Sequence, residues 1–104
     1  MLILGRKVGQ TIIIDNWLRI TVLKIQEQAI ELGLEDRFKK ISLQNISVSF
    51  GQKVQIFEGV SILVWAKTKK GPQVALGIDT SPYTRVLREE LVEESREVDV
   101  NVND

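Results

Sequence analysis

The sequence predicts an all-β fold closed by one C-terminal helix, and three observations carry that expectation. Short apolar runs rich in β-branched residues recur between turn signals, the pattern of half-buried strands. The same pattern returns further along the chain at a near-constant spacing. Only the stretch 88–98 (REELVEESREV) changes period, placing Leu91, Ser95 and Val98 near one helical face with acids over the rest.

Taken in order, residues 1–7 (MLILGRK) form an apolar strand ending in two cations, and Val8-Gly9 turns it. Residues 10–14 (QTIII) return as a second arm, and Asp15-Asn16 is the next turn. Residues 17–25 (WLRITVLKI) alternate imperfectly, as a strand does when one face is buried and the other partly covered. Residues 29–34 (AIELGL) come back as a fourth strand, and Ile41, Leu43, Ile46 and Val48 mark a further apolar alternation. In the second half, residues 50–56 resemble 8–14 and residues 60–65 follow 18–23, both at an offset of 42. Residues 73–78 resemble 29–34 at an offset of 44, the two extra residues falling in the loop 67–72. A single domain of two repeats, about 1–45 and 46–98, is the expected organisation. The second repeat ends in a strand at 83–87 and the helix, whose Glu89 and Glu90 suit the positive end of a helix dipole as a solvated cap. Residues 99–104 are expected to be a flexible tail. Trp17 and Trp65 lie at strand ends and are expected to pack.

Composition narrows the chemistry. The 104 residues hold no cysteine and no histidine, which removes disulfides, thiolate zinc sites, cysteine nucleophiles and the usual imidazole base. No cofactor or metal is expected, and the clustered carboxylates lie on a helix face without a nucleophile or base beside them, so an enzyme is not expected. No apolar run reaches the roughly 18 residues of a membrane span, and the N-terminus lacks a signal-peptide pattern, so the expectation is a soluble, cytoplasmic protein with no membrane partner. The formal charge of zero hides a division. Residues 1–88 carry 13 bases against seven acids, a net +6, while 89–104 carry seven acids and Arg96. A basic β-rich body suggests a polyanion partner.

The chain opens on MLILGRKVG, and strand alternation puts Arg6 on the face of Leu4 and Lys7 on the other. This stretch, MLILGRKVGQTIII with WLRITVL after it, and the late VLREEL resemble the carbon storage regulator family (CsrA/RsmA), small bacterial proteins that bind messenger RNA. The resemblance runs from 1 to 34 and again from about 50 to 94. It implies an intertwined β-sandwich or barrel of two antiparallel units with exchanged strands. Family members are homodimers that build each RNA site from strand one of one subunit and strand five of the other. Two units in one chain then imply a monomeric pseudo-dimer.

By that resemblance, an RNA site would combine Leu4, Arg6 and Lys7 with Thr84, Val86 and Arg88. Thr84 stands where an aliphatic is usual and Gly5 where threonine or serine is usual. Arg6 and Arg88 could contact phosphate or fork onto a guanine edge. Leu4 and Val86 would floor the site, and strand-edge backbone could read bases splayed from a loop. Lys67, Lys69, Lys70 and Arg85 are candidates for phosphate contacts. The second site should be lost: residues 46–49 hold no cation, Asn45 stands where Arg88 would, and joining parallel strands needs about a dozen residues that are missing between Asn45 and Ile46. The second unit is thus expected to lack a true first strand. The function implied is translational regulation through GGA-containing hairpin loops. The competing expectation is a divergent relative acting as a protein-interaction module, as family members are antagonised by a flagellar assembly factor.

Overall fold

The computed structural model describes residues 1–67 and 73–90, and within them the chain is nearly all strand. The strands are β1 (Leu2–Lys7), β2 (Thr11–Ile14), β3 (Leu18–Ile25), β4 (Ala29–Asp36), β5 (Ile41–Ser49), β6 (Lys53–Phe57), β7 (Val60–Lys67), β8 (Gln73–Thr80) and β9 (Val86–Arg88). They form two antiparallel sheets, one ordered β1-β8-β7-β6 and the other β5-β4-β3-β2-β9. Both sheets are open, so the barrel alternative is corrected to a sandwich. β1 and β9 leave their sequence neighbours and join the sheet built mainly from the opposite half of the chain.

Alternation explains why these two sheets pack. Ile12, Ile14, Leu18, Ile20, Val22, Ile30, Leu32, Leu34 and Val48 from one sheet meet Leu4, Val60, Ile62, Val64, Val74, Leu76 and Ile78 from the other in a single buried cluster. Each fully buried aliphatic contributes about 1.5–3 kcal/mol relative to exposure. Among the described residues no buried side-chain nitrogen or oxygen lacks a partner.

The turns follow the residues that make them. Asp15 and Asn16 take positive φ angles of 53° and 65°, the left-handed pair at the centre of the tight turn that the Trp17 amide closes onto the Ile14 carbonyl at 3.2 Å. Gly9 and Gly51 have φ of 89° and 83°. Around them the contacts recur. The Gly9 amide donates to the Val22 carbonyl at 2.7 Å and the Gly51 amide to that of Val64 at 2.7 Å. The Lys7 amide donates to Gln10 Oε1 at 2.9 Å and the Ser49 amide to Gln52 Oε1 at 3.1 Å. The β3–β4 ladder shifts register between Val22 and Lys24, and the β7–β8 ladder between Val64 and Ala66.

Three expectations change, at residues 46–49, at 83–87 and at Trp65. β5 runs unbroken from Ile41 to Ser49, so a strand is present at 46–49 where no true first strand was expected, although it carries no cation. The last strand is Val86–Arg88, not 83–87, because the Thr84 amide turns back onto the Ser81 carbonyl at 3.0 Å. Trp17 does pack, edge-to-face with Phe57 at 5.0 Å. Trp65, by contrast, is 54% exposed, because it lies in the β7 register shift on the outward side of the sheet. Of the expected helix over 88–98, Arg88 closes β9 and Glu89 and Glu90 are helical; the rest of it and the tail 99–104 lie outside the described residues.

Two substitutions test this packing. Ile62→Ala, at a fully buried position, lowers stability by about 2–5 kcal/mol, read as a lower urea midpoint. Gly9→Ala meets nothing within 4 Å, so its cost of about 1–2 kcal/mol reports the left-handed backbone alone.

Candidate nucleic-acid interface

The alternation of β1 divides its side chains between two environments. Leu4 and Arg6 point into the sandwich and are buried, while Lys7 is exposed. The expectation that Leu4 floors an open site is therefore corrected, since its face of the strand is the core face. β9 lies on the edge of the other sheet, paired to β2 with Arg88 opposite Ile12 and Val86 opposite Ile14. Val86 is half-buried against the core, and Arg88 is half-buried at the strand's end.

The two edge strands border one seam. An open cleft of about 320 Å³ lies at one end of it, lined by Met1, by Leu2 and Ile78 of the first sheet, by Val86 of the second, and by Thr84 in the turn between β8 and β9. Arg6 crosses the seam further along. Its Nη1 donates to the Thr11 carbonyl of β2 at 3.3 Å, and its two terminal nitrogens fork onto Glu90, at 3.2 Å to Oε2 and 2.9 Å to Oε1. Of the residues expected at the site, Thr84 and Val86 line the cleft and Arg6 spans the seam to Glu90, whereas Leu4 lies in the core, Arg88 pairs opposite Ile12 of β2 and Lys7 is exposed on the outward side of β1. Arg85 is exposed, its backbone held by Asp15: the Asp15 amide donates to the Arg85 carbonyl at 2.8 Å. Lys69, Lys70 and the side chain of Lys67 lie outside the described residues.

Sequence reasoning missed the acids. Glu89 and Glu90, read as a solvated cap, are ion-pair partners: Glu89 accepts from Arg19 Nη2 at 3.0 Å, and Glu90 from Arg6. Arg19 also lies 3.7 Å from Glu35. The pairs made by Glu89 and Glu90 join residues 70 and 84 positions apart, so no local spacing could have signalled them. Thr11 is buried on β2, its hydroxyl 2.9 Å from that of Thr21.

The hydrogen bonds from Arg6 hold the Glu90 carboxyl below its ordinary value of 4.5; partial burial opposes them, and the charges of Arg6 and Arg88 add to the lowering. A carboxylate with a lowered folded-state pKa stabilises the fold fully above its unfolded value and loses that contribution as pH falls through the folded one. Glu90→Gln is accordingly less stable than the unaltered chain at neutral pH, and its urea midpoint falls less on acidification below 4.5.

With the geometry in place, the comparisons with known proteins bear on the strand that contributes Leu4, Arg6 and Lys7. No solved structure matches the chain. Residues 1–37, from β1 through β4, match the family described as "CsrA: Global regulator protein family", so this first third of the chain is similar to global regulators of the CsrA type.

Proposed function

We propose that the protein is an RNA-binding post-transcriptional regulator of the CsrA type, recognising GGA-containing hairpin loops in messenger or small RNA in the cytoplasm, by occupancy and without catalysis. The observation that supports the reading is the cleft at which β1, within the family-matched region, meets the segment carrying β9; exposed Lys7 and half-buried Arg88 lie on those two strands. Thr84 and Val86 line the adjoining cleft, and single-stranded loops present the unstacked bases such a cleft can take. Arg6, on the buried side of β1, holds that strand to Glu90.

The reading includes a tandem fusion, with residues about 1–45 and 46–98 as the two units of a monomeric pseudo-dimer. Register supports it. β1 pairs with β8 as Leu4↔Leu76 and Arg6↔Val74, and β5 pairs with β4 as Ile46↔Leu32 and Val48↔Ile30. These positions differ by the offsets 42 and 44 found in the sequence, and the paired turn contacts at Gly9 and Gly51 obey the same 42. The fusion also supports one site per chain. Val48 and Ser49 occupy the positions of Arg6 and Lys7, and β6, the counterpart of β2, has no strand on its outer edge among the described residues.

One observation favours a second reading, a module that docks a protein, such as an antagonist. Met1, Ile3 and Trp65 are exposed on the outer face of the four-stranded sheet, and Met1 lies across Gly77, where an added Cβ would stand 2.5 Å from its sulfur. Exposed apolar patches commonly mark protein interfaces.

Titration with a GGA hairpin at physiological salt separates the readings. Arg88→Ala weakens hairpin binding by about 1–3 kcal/mol if it forks onto a base; no binding by the unaltered chain favours the docking module. Calorimetry gives one RNA per chain, and two equivalent sites would refute the single-site assignment. Light scattering gives a monomer.

A further inference from the structure

Within the RNA-binding reading above, on which this inference rests, we infer that Arg6 is a positioning residue and not an RNA contact: with Glu90 as its counter-charge, it ties β1 to β2 and to the end of β9, setting the spacing at which Lys7 and Arg88 face the RNA.

A guanidinium has five N–H donors. Arg6 commits four of them within the chain: Nε to the Gly5 carbonyl at 2.8 Å, Nη1 to the Thr11 carbonyl and to Glu90 Oε2, and Nη2 to Glu90 Oε1. One N–H on Nη2 remains, too few for a fork onto a guanine edge, and the residue is only 5% exposed. For RNA to take Arg6, the Glu90 carboxylate would have to leave and the Thr11 carbonyl would lose a donor in a buried setting, an unfavourable exchange. Arg88 and Lys7 have no such commitments in the described residues: Lys7 is exposed, and Arg88 acts on Glu90 through its charge.

The route of these bonds gives the tie its purpose. β1 and β9 lie in different sheets and share no ladder. Glu90 follows β9 by two residues, and Thr11 opens β2, the strand on which β9 pairs. Arg6 therefore grips both members of the β2–β9 edge from β1, and Glu89 adds a second hold by pairing with Arg19 of β3.

The other half of the chain supplies an internal comparison. Val48 sits opposite Ile30 as Arg6 sits opposite Val74, and Val48 is fully buried. At that seam no strand pairs with β6 among the described residues, and an aliphatic fills the position. A buried guanidinium is tolerated only with its hydrogen bonds satisfied, and it stands at the seam where the last strand docks.

The test is binding of a GGA hairpin by the full chain carrying Glu90→Ala, Arg6→Met, or Arg6→Met with Glu90→Met, with circular dichroism reporting the fold. If Arg6 ties the seam, Glu90→Ala weakens binding several-fold although it removes a negative charge. The double variant, whose apolar side chains can pack in place of the pair, then binds more tightly than Arg6→Met alone. If Arg6 contacts RNA, Glu90→Ala leaves binding unchanged or tightens it by freeing the guanidinium, and the double variant is as weak as Arg6→Met; either result overturns the inference. Should the Arg6 variants fail to fold, the direction of the Glu90→Ala effect decides. An unaltered chain that does not bind the hairpin refutes the RNA reading and takes this inference with it, whereas binding that ignores Glu90 refutes this inference alone.

Discussion

The structure depends on the two-residue period of the strand. Once β3, β4, β7 and β8 each place alternate aliphatics on one side, those sides are removed from water only against each other, and two open sheets result. Everything at the seam follows from the way that period treats β1. Leu4 and Arg6 share a face because they are two residues apart, so the strand that delivers a leucine to the core delivers a guanidinium with it. A buried cation then needs a carboxylate, and Glu90 provides it from the far end of the described chain.

That coupling puts the ion pair on the same seam as the cleft proposed to take RNA. The ion pair holds the edge of one sheet to the edge of the other, and the cleft between Leu2, Thr84 and Val86 opens further along the same seam. Exposed ion pairs contribute little, but here one partner is wholly enclosed while the other keeps a side-chain exposure of 46%. The arrangement is lopsided: Arg6 depends on Glu90 more than Glu90 depends on Arg6. The acidic C-terminal stretch, which by composition only balances the basic body, thus begins with two residues that hold β1 and β3 in place.

Much of this could be read before folding. Strand positions, turns at Gly9, Asp15-Asn16 and Gly51, and the opposed faces of Arg6 and Lys7 all come from local chemistry: β-branched runs, left-handed turn residues and the pleat. The repeat offset of 42 reappears as matched amide contacts at Gly9 and Gly51, because the same short sequences build the same turn. Trp65 was misjudged for a reason equally local, a register shift that alternation alone does not forecast.

What the linear chain determined, then, was which residues form strands, which face of each is apolar, and that a cationic first strand resembles one used by RNA-binding regulators. What only the tertiary structure decided was which edges meet and what Arg6 does there. Pairing between strands is non-local, and the contact of Arg6 with Glu90 spans 84 positions; no periodicity or propensity carries information over that distance. The acid that neutralises a buried arginine is selected by where the sheets bring their edges, and that is a property of the packed whole.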